Sequence, residues 1–208
     1  MLHSQRYVPP LFLFVAAAFV FTGSSESVPV VAIYGPVAGV LFVTSTWLTV
    51  ALVNAEEPVR RVIAVVHAGR STPVLVATVL VALATSLLVA GLLLFLPTVL
   101  GDHAVTTEDI LVGVLAQLTG ASTGVAIGLV VSRLVMRRTG YSLVAALVLM
   151  SVLSFPRGLP PINRLIRLLS YSPDAPDLLS STAGCAAVAV ALLIASACVT
   201  GAVADRRD

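Results

Sequence analysis

Apolar runs separated by short polar stretches set the outline of the chain. Six runs predict helices at 8–21, 28–53, 74–96, 110–135, 141–155 and 182–203. Crossing a bilayer takes about 20 apolar residues. The first run is short by that measure, with Pro9 and Pro10 marking its entry. A signal peptide is the competing reading of this start, but the TGSSES that follows has no clean small-x-small cleavage site. The linking pieces differ in kind. Residues 22–27 form a tight polar turn, and 97–109 is a polar loop with Asp102, His103, Glu108 and Asp109. Residues 156–181 hold five prolines and, at 163–170, the sequence NRLIRLLS, which reads as a short helix lying in the membrane interface.

The longest polar interruption in the first half is NAEEPVRRVIAVVHAGRSTP, residues 54–73. Pro58 suits a first helical turn, where its missing N–H leaves no bond unmade. Glu56 and Glu57 stand at the end where the helix dipole favours negative charge. Val59, Val62, Ile63 and Val66 recur at helical spacing, with Arg60, Arg61 and His67 on the other side. Gly69 can end the helix, and Pro73 stops it from running straight on. The pattern predicts a short amphipathic helix on the cytoplasmic membrane face, between the second and third spans. His67 reads more readily as a solvated residue of that helix than as a ligand.

Small residues mark the helix contacts. Gly120, Gly124 and Gly128 form a G-x-x-x-G-x-x-x-G ladder in the fourth run, which permits close approach of a neighbouring helix in the same chain or in a second subunit. Gly35 and Gly39 repeat the spacing once, beside Pro36, a candidate kink. Cys185 and Cys198 are thirteen residues apart, on different sides of one helix, and read as packing residues.

Composition turns these runs into a membrane protein. Hydrophobic residues make up 58% of the 208 and charged residues 11%, against about 25% charged in soluble domains. Mean hydropathy is +1.05. The fold class expected is all-α: one polytopic transmembrane domain over 1–208, with six spans. Every basic residue is arginine. Without lysine, neither a Walker A phosphate loop nor Schiff-base chemistry is available. No Asp, Glu, Lys, Arg or His falls in the middle of a predicted span, which argues against a proton-coupled carrier or a charged channel ring. No internal repeat of the kind found in secondary carriers stands out.

Arginine placement sets the expected orientation. A cytoplasmic start puts Arg6, Arg60, Arg61, Arg70, Arg133, Arg137, Arg138, Arg206 and Arg207 inside, and leaves Arg157, Arg164 and Arg167 outside. Both termini are therefore expected in the cytoplasm, at a bacterial cytoplasmic (inner) membrane. Glu56 to Arg61 matches E-E-x-x-x-R, the first motif of membrane-embedded CAAX-type proteases. The histidines those enzymes need have no counterpart, because neither His67 nor His103 is followed four residues later by Asn or Asp. No H-E-x-x-H or G-x-S-x-G occurs, so an enzyme is not expected.

The layout as a whole resembles the membrane (permease) subunits of type-2 ATP-binding-cassette transporters. Those have six spans with both ends in the cytoplasm, a coupling helix between spans two and three, and a bent, partly helical extracytoplasmic segment between spans five and six. Glu56/Glu57, Val59–Val66, Ala68-Gly69, Arg70 and Ser71-Thr72-Pro73 occupy the places of the family's acid, amphipathic helix, small residues, basic residue and span entry. The small-residue stretch 120–135 is similar to the family's fourth span. Pro58-Val59-Arg60-Arg61 stands where the family commonly has Gly-Thr after the acid. The resemblance implies an exporter permease that binds no cofactor itself and works with a separate ATPase subunit carrying ATP and Mg²⁺. It implies a second copy or a paralogue as the other half of the pathway, the lipid bilayer as surroundings, and no nucleic acid. Glu56, Glu57, Arg60, Arg61, His67, Arg70, Arg133, Arg137 and Arg138 would form the ATPase contact. A non-transporting accessory or assembly subunit is the alternative. Apolar, uncharged walls point to a hydrophobic or amphipathic cargo.

Overall fold

The structure is a computed structural model that describes residues 12–17, 20, 29–55, 66–67, 69, 71–94, 106–132, 135, 139–154, 161–172 and 177–205. Six helices carry the fold: α1 Val30–Ala55, α2 Ser71–Leu94, α3 Thr107–Val131, α4 Thr139–Ser154, α5 Ile162–Tyr171 and α6 Leu178–Asp205. Residues 12–17 are also helical, and no strand occurs among the described residues. The all-α expectation therefore holds. Four helices, α1, α2, α3 and α6, are long and apolar enough to cross a membrane.

The six predicted spans are not all seen as spans. Of the first, only 12–17 and 20 are described, with Phe14 buried against Ile33, Val37, Leu41, Ala90 and Ala121. The fifth is the 16-residue α4, about 24 Å long at 1.5 Å per residue, short of a hydrocarbon core of about 30 Å. The other boundaries shift by a few residues for identifiable reasons. α3 starts earlier than the apolar run because Thr106 caps it. The Asp109 N–H donates to Thr106 Oγ1 at 3.3 Å, while Asp109 Oδ2 accepts from the Thr106 N–H at 2.9 Å. Glu108 and Asp109, predicted in the loop, lie in the first turn, where the helix dipole favours them. Thr106→Ala is expected to cost about 1 kcal/mol, read as faster amide exchange at 107–110 than in the unsubstituted chain. Pro73 sits inside the first turn of α2, where it needs no acceptor, and α1 runs on through Pro36.

α3 is the central helix. Every residue from Thr119 to Leu129 is buried, and 72% of its apolar window is covered, against 28% for α2 and 22% for α6. Its glycine ladder faces α1. A Cβ on Gly120 would lie 2.5 Å from the Ala38 carbonyl oxygen, and one on Gly128 2.5 Å from Thr49 Cβ. One on Gly124 would overlap Ser45 Oγ and the Phe42 carbonyl oxygen. The ladder is thus occupied within the chain. Ascending residue numbers pair with ascending numbers, so α1 and α3 run parallel. Leu94 meets Gly113 while Leu75 packs with Val125 and Leu129, so α2 runs antiparallel to both. Leu75 also lies beside Gly201, which makes α6 parallel to α3.

Where α1 and α3 meet, hydroxyls replace larger side chains. Thr44, Ser45, Thr46, Thr49, Thr119 and Thr123 are buried and donate to carbonyls three or four residues back in their own helices. Satisfied in this way, they act as small packing residues in an apolar seam.

Candidate functional site

The predicted ATPase contact lies largely outside the described residues: Glu56, Glu57, Arg60, Arg61, Arg70, Arg133, Arg137 and Arg138 all fall there. Around them the structure is informative. Val66 and His67 are helical and exposed. Gly69 follows with φ of 72°, the left-handed value that glycine adopts without strain and that commonly ends a helix. Among the described residues it alone has positive φ. Gly69 thus has the conformation expected of a helix end, while the predicted amphipathic helix itself lies, apart from Val66 and His67, outside the described residues. The helix directions also matter. The end of α1, the start of α2, the end of α3, the start of α4 and the end of α6 all gather at one end of the bundle. Those are the ends that flank 56–70, 133–138 and 206–208, which hold eight of the arginines.

The opposite half holds a feature that the sequence pattern misplaced. α5 does not lie across the end of the bundle. Its Ile166 meets Gly39, and its Leu169 and Ser170 meet Gly35. Its Ile162 clusters with Phe42, Ile127, Val131 and Ala146. Rising numbers in α5 meet falling numbers in α1, so α5 stands antiparallel alongside the first half of α1. Ile162, Leu165 and Leu169 are buried at 1%, 0% and 0% exposure. The single Gly35/Gly39 pair is the groove that admits Ile166, Leu169 and Ser170. A Cβ on Gly35 would lie 3.3 Å from the Ile166 carbonyl oxygen, and one on Gly39 3.1 Å from Ile166 Cδ1. The interfacial orientation expected from the amphipathic pattern is thereby corrected: the apolar stripe faces protein, not acyl chains.

This placement brings charge beside a span although none lies in the middle of one among the described residues. Ile162 is level with Phe42 and Ile166 with Gly39. Arg164 therefore stands beside the middle of the 26-residue α1. Arg167 follows one turn further out, and both are exposed. An arginine at the centre of a bilayer costs about 2.5–3.5 kcal/mol on insertion scales. These two lie on a helix and not in a loop, and Arg157 lies outside the described residues.

Other buried polar groups escaped the sequence reading because a lone polar residue in an apolar run gives no periodic signal. Gln117 Oε1, Tyr34 Oη, Ser122 Oγ and Ser86 Oγ are buried with no hydrogen-bond partner among the described residues. Ser86 lines a small crevice with Phe14, Thr44 and Leu48. Cys185 is buried and Cys198 exposed, both as free thiols, in keeping with their positions on different sides of α6. No group of three His, Cys, Asp or Glu able to hold a metal occurs among the described residues.

The class defined is an all-helical bundle with four candidate membrane spans, which points to a membrane protein. Compared with known protein families, with curated proteins and with solved structures, the chain matches none of them.

Proposed function

We propose that the chain is the permease subunit of an ATP-driven exporter of the type-2 ATP-binding-cassette kind. The observation that carries this reading is the position of α5. The resemblance implies a bent, partly helical segment between the last two spans, and α5 is a short helix that turns in beside α1 just before α6. The gathered helix ends add support, because they flank both the 54–72 segment and the Arg133–Arg138 turn at one end. With Arg164 and Arg167 beside α1, nine arginines stand on the cytoplasmic side of the proposed orientation and only Arg157 outside. In this reading both termini lie in the cytoplasm of a bacterial cell. Two copies, or this chain and a paralogue, enclose the pathway.

The mechanism asks for no bond chemistry from this chain. A partner ATPase binds ATP and Mg²⁺ and grips Glu56, Glu57, Arg60, Arg61, His67 and Arg70, together with Arg133, Arg137 and Arg138. Its closure displaces the 54–72 helix. That helix leads into α2, which packs on α1, α3 and α6, so a push there reaches the core. Largely apolar outer faces suit a hydrophobic or amphipathic cargo.

The test is co-purification of the detergent-solubilised chain with a nucleotide-binding subunit, followed by measurement of ATP hydrolysis. The unsubstituted chain is expected to bring down an ATPase whose turnover rises on reconstitution. Glu57→Arg combined with Arg60→Glu is expected to abolish recovery while leaving the helical content unchanged. ATP hydrolysis by the purified chain alone, or recovery of the ATPase by the double variant, would defeat the proposal. Recovery of a membrane complex with no nucleotide-binding member would favour the accessory-subunit alternative.

A further inference from the structure

The outer face of α5 has no role in the exporter reading and poses its own physical question. Arg164, Arg167 and Tyr171 fall at i, i+3 and i+7, so they form one stripe, opposite the buried Ile162, Leu165 and Leu169. All three are exposed, Tyr171 at 81%. No ion pair joins either arginine to a described residue. The acids at this end, Glu108, Asp109 and Asp177, lie at helix starts. Of these, Asp109 is engaged by its capping box with Thr106. Two cations thus stand at bilayer depth on the outside of the bundle.

Acyl chains cannot solvate a guanidinium, and helix direction decides where it turns. α5 rises from the level of Phe42 toward the α1 start, so Tyr171 is its outermost residue. The long arginine stems let both heads climb in that direction, toward the polar boundary that tyrosine favours. A guanidinium presents a planar fork of donors that matches two oxygens of a phosphate. Beside α5 pack α4 and α6, which expose Val148, Val152 and Val188 to the surroundings. A phosphate held by the fork would have its acyl chains against that apolar surface.

We propose that Arg164 and Arg167 form a binding site for the phosphate of an anionic phospholipid, drawn inward along the outer face of α5. The complementarity is of charge. The bilayer supplies an abundant anion tethered to apolar chains in the headgroup layer, toward which both arginine heads reach. The inference rests on α1 crossing a bilayer and not on the exporter reading, so its test needs no ATPase.

The experiment uses the full chain in nanodiscs of phosphatidylcholine and phosphatidylglycerol in equal parts, released into mild detergent, with the retained lipid counted by native mass spectrometry. With two arginines near an anionic lipid surface, phosphatidylglycerol should be enriched roughly thirtyfold over phosphatidylcholine. Arg164→Gln with Arg167→Gln should bring the ratio to about one, and the double lysine variant should keep part of the enrichment. Both side chains are exposed, so these variants keep the buried face of α5, and the single glutamine variants provide a milder second series. Absence of enrichment in the unsubstituted chain, or equal enrichment in the glutamine variants, would overturn the site. Displacement of lipid by millimolar inorganic phosphate would reassign it to a free anion. A change of subunit number in the glutamine variants with the lipid ratio unmoved would show instead that a second copy covers this face.

Discussion

Gly124→Val is expected to destabilise the chain strongly. The glycine lies where α3 crosses α1, and even a Cβ there would overlap the Phe42 carbonyl oxygen and Ser45 Oγ. A flexible side chain could rotate away, but a main-chain carbonyl inside α1 cannot move without the helix. Overpacking a core costs about 1–3 kcal/mol and occasionally more, and an immovable obstacle puts this case at the upper end. For a chain of this size each kcal/mol moves the melting midpoint by roughly 2–4 °C, so a fall of roughly 6–12 °C is expected in detergent. Gly184→Ala is the control. A Cβ there meets nothing within 4 Å, and alanine favours a helix interior over glycine by about 1 kcal/mol. Its midpoint should stay level or rise. Equal behaviour of the two variants would mean that the ladder does not bring α1 and α3 together. A loss of subunit association with an unchanged midpoint would assign it to an intermolecular contact.

Leu165→Ala and Leu169→Ala are expected to have effects at least as large. Both leucines are fully buried in one cluster with Val30, Val31, Tyr34, Ala38 and Val112. Cutting a buried leucine to alanine costs about 2–5 kcal/mol, with the spread set by how far the site collapses. α5 has ten residues, too few to persist as a helix without its packing. Loss of either anchor is therefore expected to free α5 locally before the bundle melts. Arg164 and Arg167 make this visible, because trypsin cuts after arginine once the backbone is released. Cleavage at 164 and 167 should accelerate several-fold in both variants. Tyr171→Ala removes an exposed side chain and should change stability by no more than about 0.5 kcal/mol. Unchanged proteolysis in the leucine variants would place α5 elsewhere than in the Gly35/Gly39 groove.

These two expectations show where reading the sequence succeeded and where it stopped. The ladder was legible because three glycines at one spacing admit few explanations besides a close helix contact. Which helix fills it was not legible, since spacing describes one surface and says nothing of its partner. Gly35/Gly39 alone was a weaker signal of the same kind, and its partner is the amphipathic α5. An apolar stripe opposite two arginines fits a bilayer interface and a protein groove equally well. The left-handed conformation of Gly69 was legible because it is a local requirement of the backbone that glycine meets without strain. The contact proposed around Glu57 and Arg60 came from the family resemblance and the local charge pattern.

The amino-acid order by itself determined that this chain is helical and apolar enough for a membrane, because hydrophobic runs and helix ends are set by neighbours within a few residues. It also determined what chemistry is missing, since a chain without lysine cannot build a lysine site anywhere. Only the tertiary structure decided that α3 is the centre, that its ladder holds α1, and that α5 stands along α1 with Arg164 beside the middle of that helix. Those outcomes depend on which surfaces meet across large separations in sequence. Packing selects among partners of similar hydrophobicity by the fit of shape, a property that no single stretch of residues contains.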